Sequence, residues 1–223
     1  VLHDLHGHLN EQQDRRATLA QQTYCTATIS ETAHSSAVPA AADSYQNTLG
    51  NALHVLIEQV VMQHPTPPDY KLAHLKQLLV ENEADPDQHD VLKRMLNALV
   101  ESSLWDALAE AETIYTELPL SRLLPGASNP DDSNPGAADT VQHGTIDLAY
   151  RTGGGWHLVD YKSDRIDGSA HVRDLTRAYA SQLRLYATAW NEVTGRPPRS
   201  ARLWFADAPR IGIDAEQLVS LDG

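Results

Sequence analysis

From Leu49 onward the chain places apolar residues at helical spacing. Leu49, Leu53, Leu56, Ile57, Val60 and Val61 share one stripe, and the run stops at Pro65-Thr66-Pro67-Pro68. The same logic predicts helices near 69–81, 87–101 and 103–112, the first two separated by the acidic turn Glu81-Asn82-Glu83-Ala84-Asp85-Pro86. Upstream, residues 1–45 are rich in Gln, Thr, Ala, Ser and His with weak periodicity, which predicts one helix over 8–22 and then a linker. The period changes at Thr113, where Thr113-Ile114-Tyr115-Thr116-Glu117-Leu118-Pro119-Leu120 reads as a strand. Residues 124–140 are mostly Pro, Gly, Ala, Ser, Asn and Asp and read as a long loop. Two short apolar strands then flank Gly153-Gly154-Gly155, followed by a helix over about 172–193 and a strand at 202–206. The order is helices, then β, β, β, α, β, a mixed α+β pattern without an internal repeat. Three parts are expected: an extension over 1–45, a helical part over 46–112 and an α/β core over 113–223. The last two are expected to form one compact unit.

The two glycine-flanked strands carry the informative polar residues. Asp147 lies in the first, and Asp160 and Lys162 lie in the second. Side chains alternate along a strand, so Asp160 and Lys162 share a face that Tyr161 does not. A hairpin closed at the glycines brings Asp147 close to Asp160. Two carboxylates and an amine in a half-buried sheet cost folding energy unless they are partnered, and a divalent cation is the natural partner. That combination suits phosphodiester hydrolysis, where a metal held by carboxylates activates water and offsets charge on the phosphate. Asp147 and Asp160 are the candidate ligands, with the Tyr161 carbonyl as a further oxygen. Lys162 is placed to hold or polarise the attacking water. Taken alone, Asp-x-Lys reads more readily as a cross-strand ion pair on a solvated edge, and only its neighbours change that reading.

Charge and composition narrow the classes. The formal net charge is −13, which argues against a generic nucleic-acid coat protein. Its distribution is uneven: residues 1–140 hold 7 basic and 20 acidic residues, and residues 141–223 hold 10 of each. The part with the candidate site is therefore the less repulsive part for a polyanion, and tight DNA binding is expected to come from elsewhere in a longer protein. Cys25 is the only cysteine, which excludes an internal disulfide, a cysteine-based zinc site and an iron–sulfur cluster. No apolar run approaches the roughly 20 residues that span a bilayer, no secretory signal pattern opens the chain, and there is no initiator Met. A cytoplasmic segment of a larger protein is the expectation.

Gly-x-x-Asp in one strand, Val159-Asp160-Tyr161-Lys162 in the next and Tyr179-Ala180-Ser181-Gln182-Leu183-Arg184-Leu185-Tyr186 in a helix together resemble the PD-(D/E)XK nuclease superfamily. The resemblance is nearer to the RecB-type nuclease domain at the C-terminus of bacterial RecB and AddA helicase-nucleases. Gly50-Asn51-Ala52-Leu53-His54-Val55-Leu56-Ile57-Glu58 is similar to the family's first-helix motif, and Glu117-Leu118-Pro119-Leu120 stands where the family has its first core strand. The resemblance spans about residues 47–207. It implies a restriction-endonuclease-like core, a central mixed sheet flanked by helices, with an N-terminal helical extension. It also implies His54 as a metal ligand with Asp147, Asp160 and the Tyr161 carbonyl, and Glu117 as a residue that orients metal-bound water. Gln182, Tyr186, Tyr179 and Arg165 are implied to hold substrate or brace the site. An imidazole beside two carboxylates suits Mn²⁺ at least as well as Mg²⁺. Leu183 and Trp190 read as core, and Arg173, Arg177 and Arg184 as a solvated stripe.

The implied activity is Mg²⁺- or Mn²⁺-dependent DNA cleavage, exonucleolytic on single strands, in double-strand-break repair and recombination near the nucleoid. The implied partners are DNA, helicase domains of the same parent chain and a second helicase-nuclease subunit. No phosphate-binding Walker loop occurs here, so a motor would lie outside these residues. The competing expectations are an inactive nuclease-fold module that guides DNA or docks a partner, and a stand-alone nuclease.

Overall fold

A computed structural model of the chain describes residues 25–29, 44–66, 70–125 and 139–221. Six strands form one mixed sheet: β1 (Cys25–Thr28), β2 (Thr113–Leu124), β3 (Thr140–Thr152), β4 (Gly155–Lys162), β5 (Ser200–Phe205) and β6 (Glu216–Val219). The flanking helices are α1 (Ser44–Met62), α2 (Leu72–Glu81), α3 (His89–Val100), α4 (Ser103–Ala109) and α5 (Ser169–Thr194). β3 is antiparallel to β2 and β4, while β1 runs parallel to the start of β3. β5 joins β4 in parallel after the α5 crossover, and β6 closes the row antiparallel to β5.

Each layer follows from its sequence. The α1 stripe is buried as its spacing requires, with Leu53, Leu56, Ile57 and Val60 fully covered. It packs with α2, α3 and α4 against Leu148, Tyr150, Val159, Tyr161 and Trp204 of the sheet. Each such burial contributes roughly 1.5–3 kcal/mol. The opposite face packs on α5, where Leu183 and Trp190 join Leu120, Ile146, Leu158, Leu203 and Phe205. Gly195, in a left-handed conformation, ends α5. Gly153 and Gly154 both have positive φ and close the β3–β4 hairpin by pairing Thr152 with Gly155. Such two-residue turns match the twist of the strands they join.

One backbone feature shapes the site. Glu117, in the middle of β2, has φ of +47°. The pairing register of β2 with β3 is unbroken on either side, so Glu117 stands opposite Asp147. Across this position the strands exchange faces. Leu118, Leu120 and Ile146 pack on the α5 side, as does Ala149, whereas Ile114, Leu148 and Tyr150 pack on the α1 side. A left-handed non-glycine residue costs about 1–3 kcal/mol, and here it turns the side chains of two paired strands at the same point. Among the described residues β2 pairs only with β3, so Pro119 sits on an edge strand, where its missing N–H is tolerated.

The structure departs from the sequence pattern in several places. The segment expected to be a linker contributes β1, and β6 was not anticipated. Both are four-residue strands, too short for alternation to show. β2 runs to Leu124, so it extends past the predicted end at Leu120. The third helix splits into a 3₁₀ turn at Pro86–Gln88 and α3, because Asp85 caps the turn and Pro86 starts it. α4 stops at Ala109 and α5 starts three residues earlier than the spacing suggested. The predicted helix over 8–22 and most of the 124–140 loop lie outside the described residues.

Gly144 tests how tightly α5 is seated on the sheet. A Cβ there would stand 2.8 Å from the Tyr186 ring and 3.2 Å from Ile29. Gly144→Ala is expected to destabilise the chain by about 1–3 kcal/mol. At about 2–4 °C per kcal/mol for this size, thermal unfolding should show a Tm lowered by several degrees. An unchanged Tm would mean that the Tyr186 ring can shift at little cost.

Candidate metal centre and active site

The face exchange at Glu117 and Asp147 brings three chemically matched side chains together. His54 projects from α1, Glu117 from β2 and Asp147 from β3, and one ligand atom of each lies within 4.8 Å of the others. His54 Nδ1 is 3.6 Å from Glu117 Oε1 and 3.6 Å from Asp147 Oδ1. Ligands of one octahedral ion at about 2.1 Å stand about 3 Å apart when adjacent and about 4 Å when opposite. The three side chains therefore could hold a divalent metal ion, and nitrogen with two carboxylates is a suitable donor set. Asp147 is further fixed by the Tyr161 backbone N–H, which donates to its Oδ2 at 2.7 Å. The Tyr161 ring points to the α1 side, away from Asp160 and Lys162, and meets the His54 ring edge-on.

Asp160 and Lys162 stand beside this group as a pair. Continued by one position, the β3–β4 register sets Asp147 opposite Asp160, and both carboxylates are buried, 7% and 4% exposed. Lys162 Nζ lies 2.6 Å from Asp160 Oδ2 and donates to Gln182 Oε1 at 3.2 Å. It also sits 4.2 Å above the Tyr179 ring. Gln182 Nε2 donates to the Tyr186 hydroxyl at 3.4 Å, and the Tyr179 hydroxyl donates to Asp164. The i, i+4 spacing of Gln182 and Tyr186 thus becomes a relay along α5 that ends beneath Gly144. Arg165 is apart from all of these: its side chain is 77% exposed and pairs with Asp167. Arg173, Arg177 and Arg184 are exposed on α5.

The electrostatics describe a site short of positive charge. Burial and the facing Asp160 push the Asp147 carboxyl up to about 7, against the opposing pull of His54 and Lys162. Burial alone would lower His54, but Asp147, Glu117 and Asp160 outweigh it and raise the imidazole to about 9. Burial likewise opposes the Lys162 charge, yet Asp160 and Asp147 hold it well above the usual lysine range. Tyr179 is pushed up to about 12, mainly by burial and Asp164.

The chain matches the PD-(D/E)XK nuclease superfamily over residues 29–221 and belongs to that family. Three relatives are each one subunit of an ATP-dependent helicase/nuclease. The Bacillus velezensis protein is 25% identical over 173 residues, 73% of this chain and 14% of its own length. That of Bacillus pumilus is 26% identical over 167 residues, 71% of this chain and 14% of its own. That of Levilactobacillus brevis is 26% identical over 157 residues, 67% of this chain and 12% of its own. The chain therefore spans less than a sixth of the length of these relatives. None of the described helices is long and apolar enough to cross a membrane.

Sequence reasoning missed Asp207, a carboxylate only 3% exposed just beyond β5. It accepts from the Ile166 N–H and from Arg210, and Arg94 approaches it. The i, i+3 spacing of Asp207 and Arg210 was a visible signal, but Arg94 is distant in sequence.

The shifts at Asp147 and His54 have a defined consequence for the metal-free chain. A carboxyl raised from 3.8 to about 7 favours folding at low pH, and that contribution is lost as pH rises from about 4 through 7. A histidine raised from 6.5 to about 9 favours folding below 6.5, and that contribution is lost as pH rises through 9. Both slopes run the same way. Asp147→Asn is expected to raise the Tm by a few degrees at pH 8 in chelator, measured by thermal unfolding. A lowered Tm would show that the carboxylate is not under strain.

Proposed function

We propose that this chain is the metal-dependent DNA nuclease part of a helicase-nuclease, cleaving single strands exonucleolytically during double-strand-break repair and recombination. The observation that carries this reading is the His54–Glu117–Asp147 group with the Asp160–Lys162 pair beside it, in a chain of the nuclease family. The names of the relatives support the helicase-nuclease setting, in which the partners are helicase domains of the parent chain and a second helicase-nuclease subunit. A nuclease fed by such a motor works at the nucleoid, in the cytoplasm.

His54, Asp147 and Asp160 are the proposed protein ligands, joined by the Tyr161 carbonyl, and Glu117 holds either the ion or a water on it. Mg²⁺ suits the carboxylates, and Mn²⁺ suits the imidazole as well. When bound, the ion supplies Lewis-acid stabilisation and a more acidic water. The residues around it do the rest. Lys162, kept protonated by Asp160, orients the attacking water and offsets charge growing on the phosphate. Gln182 fixes the Lys162 ammonium from the α5 side, Tyr186 braces Gln182, and Tyr179 covers the lysine and keeps bulk water away. Arg165 is the proposed contact to the strand beyond the cut.

Cleavage of end-labelled and circular single-stranded DNA should require Mg²⁺ or Mn²⁺ and stop in chelator, with the linear substrate degraded and the circle spared. Lys162→Ala should reduce the rate at least about 10²–10³-fold while leaving the folded chain's circular dichroism unchanged. Undiminished cleavage by that purified variant would reject the assignment.

A further inference from the structure

A cavity of about 430 Å³ opens beside the first turns of α1, lined by Leu49, Val91, Arg94, Ser163, Arg165 and Arg210 among others. It adjoins the candidate centre through two contacts. Ser163 follows Lys162 directly, and its Oγ stands 2.9 Å from where a Gly50 Cβ would be, one helical turn before His54. Gly50 thus lets the segment after β4 press against α1, and the cavity begins where they meet.

Three arginines line the cavity from different elements: Arg94 from α3, Arg165 from the segment after β4 and Arg210 from the 3₁₀ turn after β5. The buried Asp207 organises two of them. Arg210 donates to it through Nε and Nη2, and Arg94 reaches it through Nη2 at 3.4 Å. Arg210 Nη2 also donates to the Ile166 carbonyl. This clamp holds the planes in place while Arg210 Nη1, and the Nε and Nη1 of Arg94, remain without protein partners among the described residues. Asp207 and the exposed Asp167 offset two of the three charges, leaving the cavity positive. That sign runs against its surroundings, since residues 77–112 hold nine acidic residues and only Lys93 and Arg94 as basic ones. Two held, partly unspent guanidiniums, with the exposed Arg165 at the same cavity, are an arrangement that can recognise phosphate oxygens.

We infer that the Arg94–Arg165–Arg210 cavity binds a backbone phosphate of the nucleic-acid strand next to the one being cut. This rests on the nuclease reading above and adds the path that the strand takes, from the His54–Asp147–Lys162 centre over Ser163 towards α3. The bound group is either an internal phosphodiester or a terminal phosphate.

The test uses the whole chain with Arg94→Gln and Arg165→Gln combined, sparing Arg210 because it clamps Asp207. Binding of fluorescein-labelled single-stranded DNA is followed by anisotropy in chelator across a salt series, apart from any cleavage. The wild-type slope of log K against log salt should fall in magnitude by about 1.4, or about 0.7 for each lost contact on single strands. With Mn²⁺, KM for cleavage should rise at least about tenfold and kcat should change little. Lysine at both positions should restore the salt slope. Equal losses on 5′-phosphorylated, 5′-hydroxyl and circular strands assign an internal phosphodiester, and a loss confined to the 5′-phosphorylated strand assigns a terminal phosphate. An unchanged slope and KM, or a loss that lysine does not restore, overturns the inference. If the wild-type chain binds DNA through these arginines but never cleaves it, the cavity stands and the nuclease reading falls. If it binds no DNA at any salt, the cavity assignment falls.

Discussion

The structure turns on two carboxylates buried face to face. Asp147 and Asp160 occupy opposite positions on the paired strands β3 and β4, where neither water nor distance relieves their repulsion. β2 adds a third carboxylate, Glu117, and three other elements supply positive charge or a donor. α1 contributes His54, β4 contributes Lys162 and the Tyr161 N–H, and α5 fixes the lysine through Gln182. The sheet and both helical layers are thereby tied to one electrostatic problem. Its incomplete solution by protein groups alone, visible in the raised Asp147 carboxyl, is the physical reason that the site could accommodate a cation.

The bent edge strand serves the same end. An unbroken alternation along β2 and β3 would send Glu117 and Asp147 to positions fixed by the core on either side of them. With Glu117 left-handed, the two strands change faces together, and both carboxylates turn towards His54 without loss of register. The local strain is held by long pairing on both sides, eleven residue pairs in all. Strain of this kind persists only where surroundings over-determine it.

Much of this was legible in the sequence, for identifiable reasons. The α1 stripe, the glycine hairpin and the alternation of Asp160 and Lys162 are local patterns, and the structure places them as the periods require. The convergence of α1 with two strands is not local. His54 stood out only through its resemblance to a known motif. Nor could the period of β2 reveal the turn at Glu117, since alternation assumes an unkinked strand. β1 and β6 escaped because four residues carry too little pattern, and they gain their stability from the neighbouring strand instead.

Charge distribution connects these levels. Nine acidic residues gather in residues 77–112 around α2–α4, while His54 and Lys162 face the carboxylates of the centre and three arginines line the adjoining cavity. A polyanion would be repelled by most of the helical surface, and the inferred track is the exception. The layer that buries α1, and so positions His54, is also an acidic one. One buried carboxylate, Asp207, orients the arginines that mark the exception. With so few unspent guanidiniums, the inferred cavity would hold a strand weakly and in a salt-sensitive way. Such a hold would suit the proposed cutting module, because a tight grip would slow release after each cut.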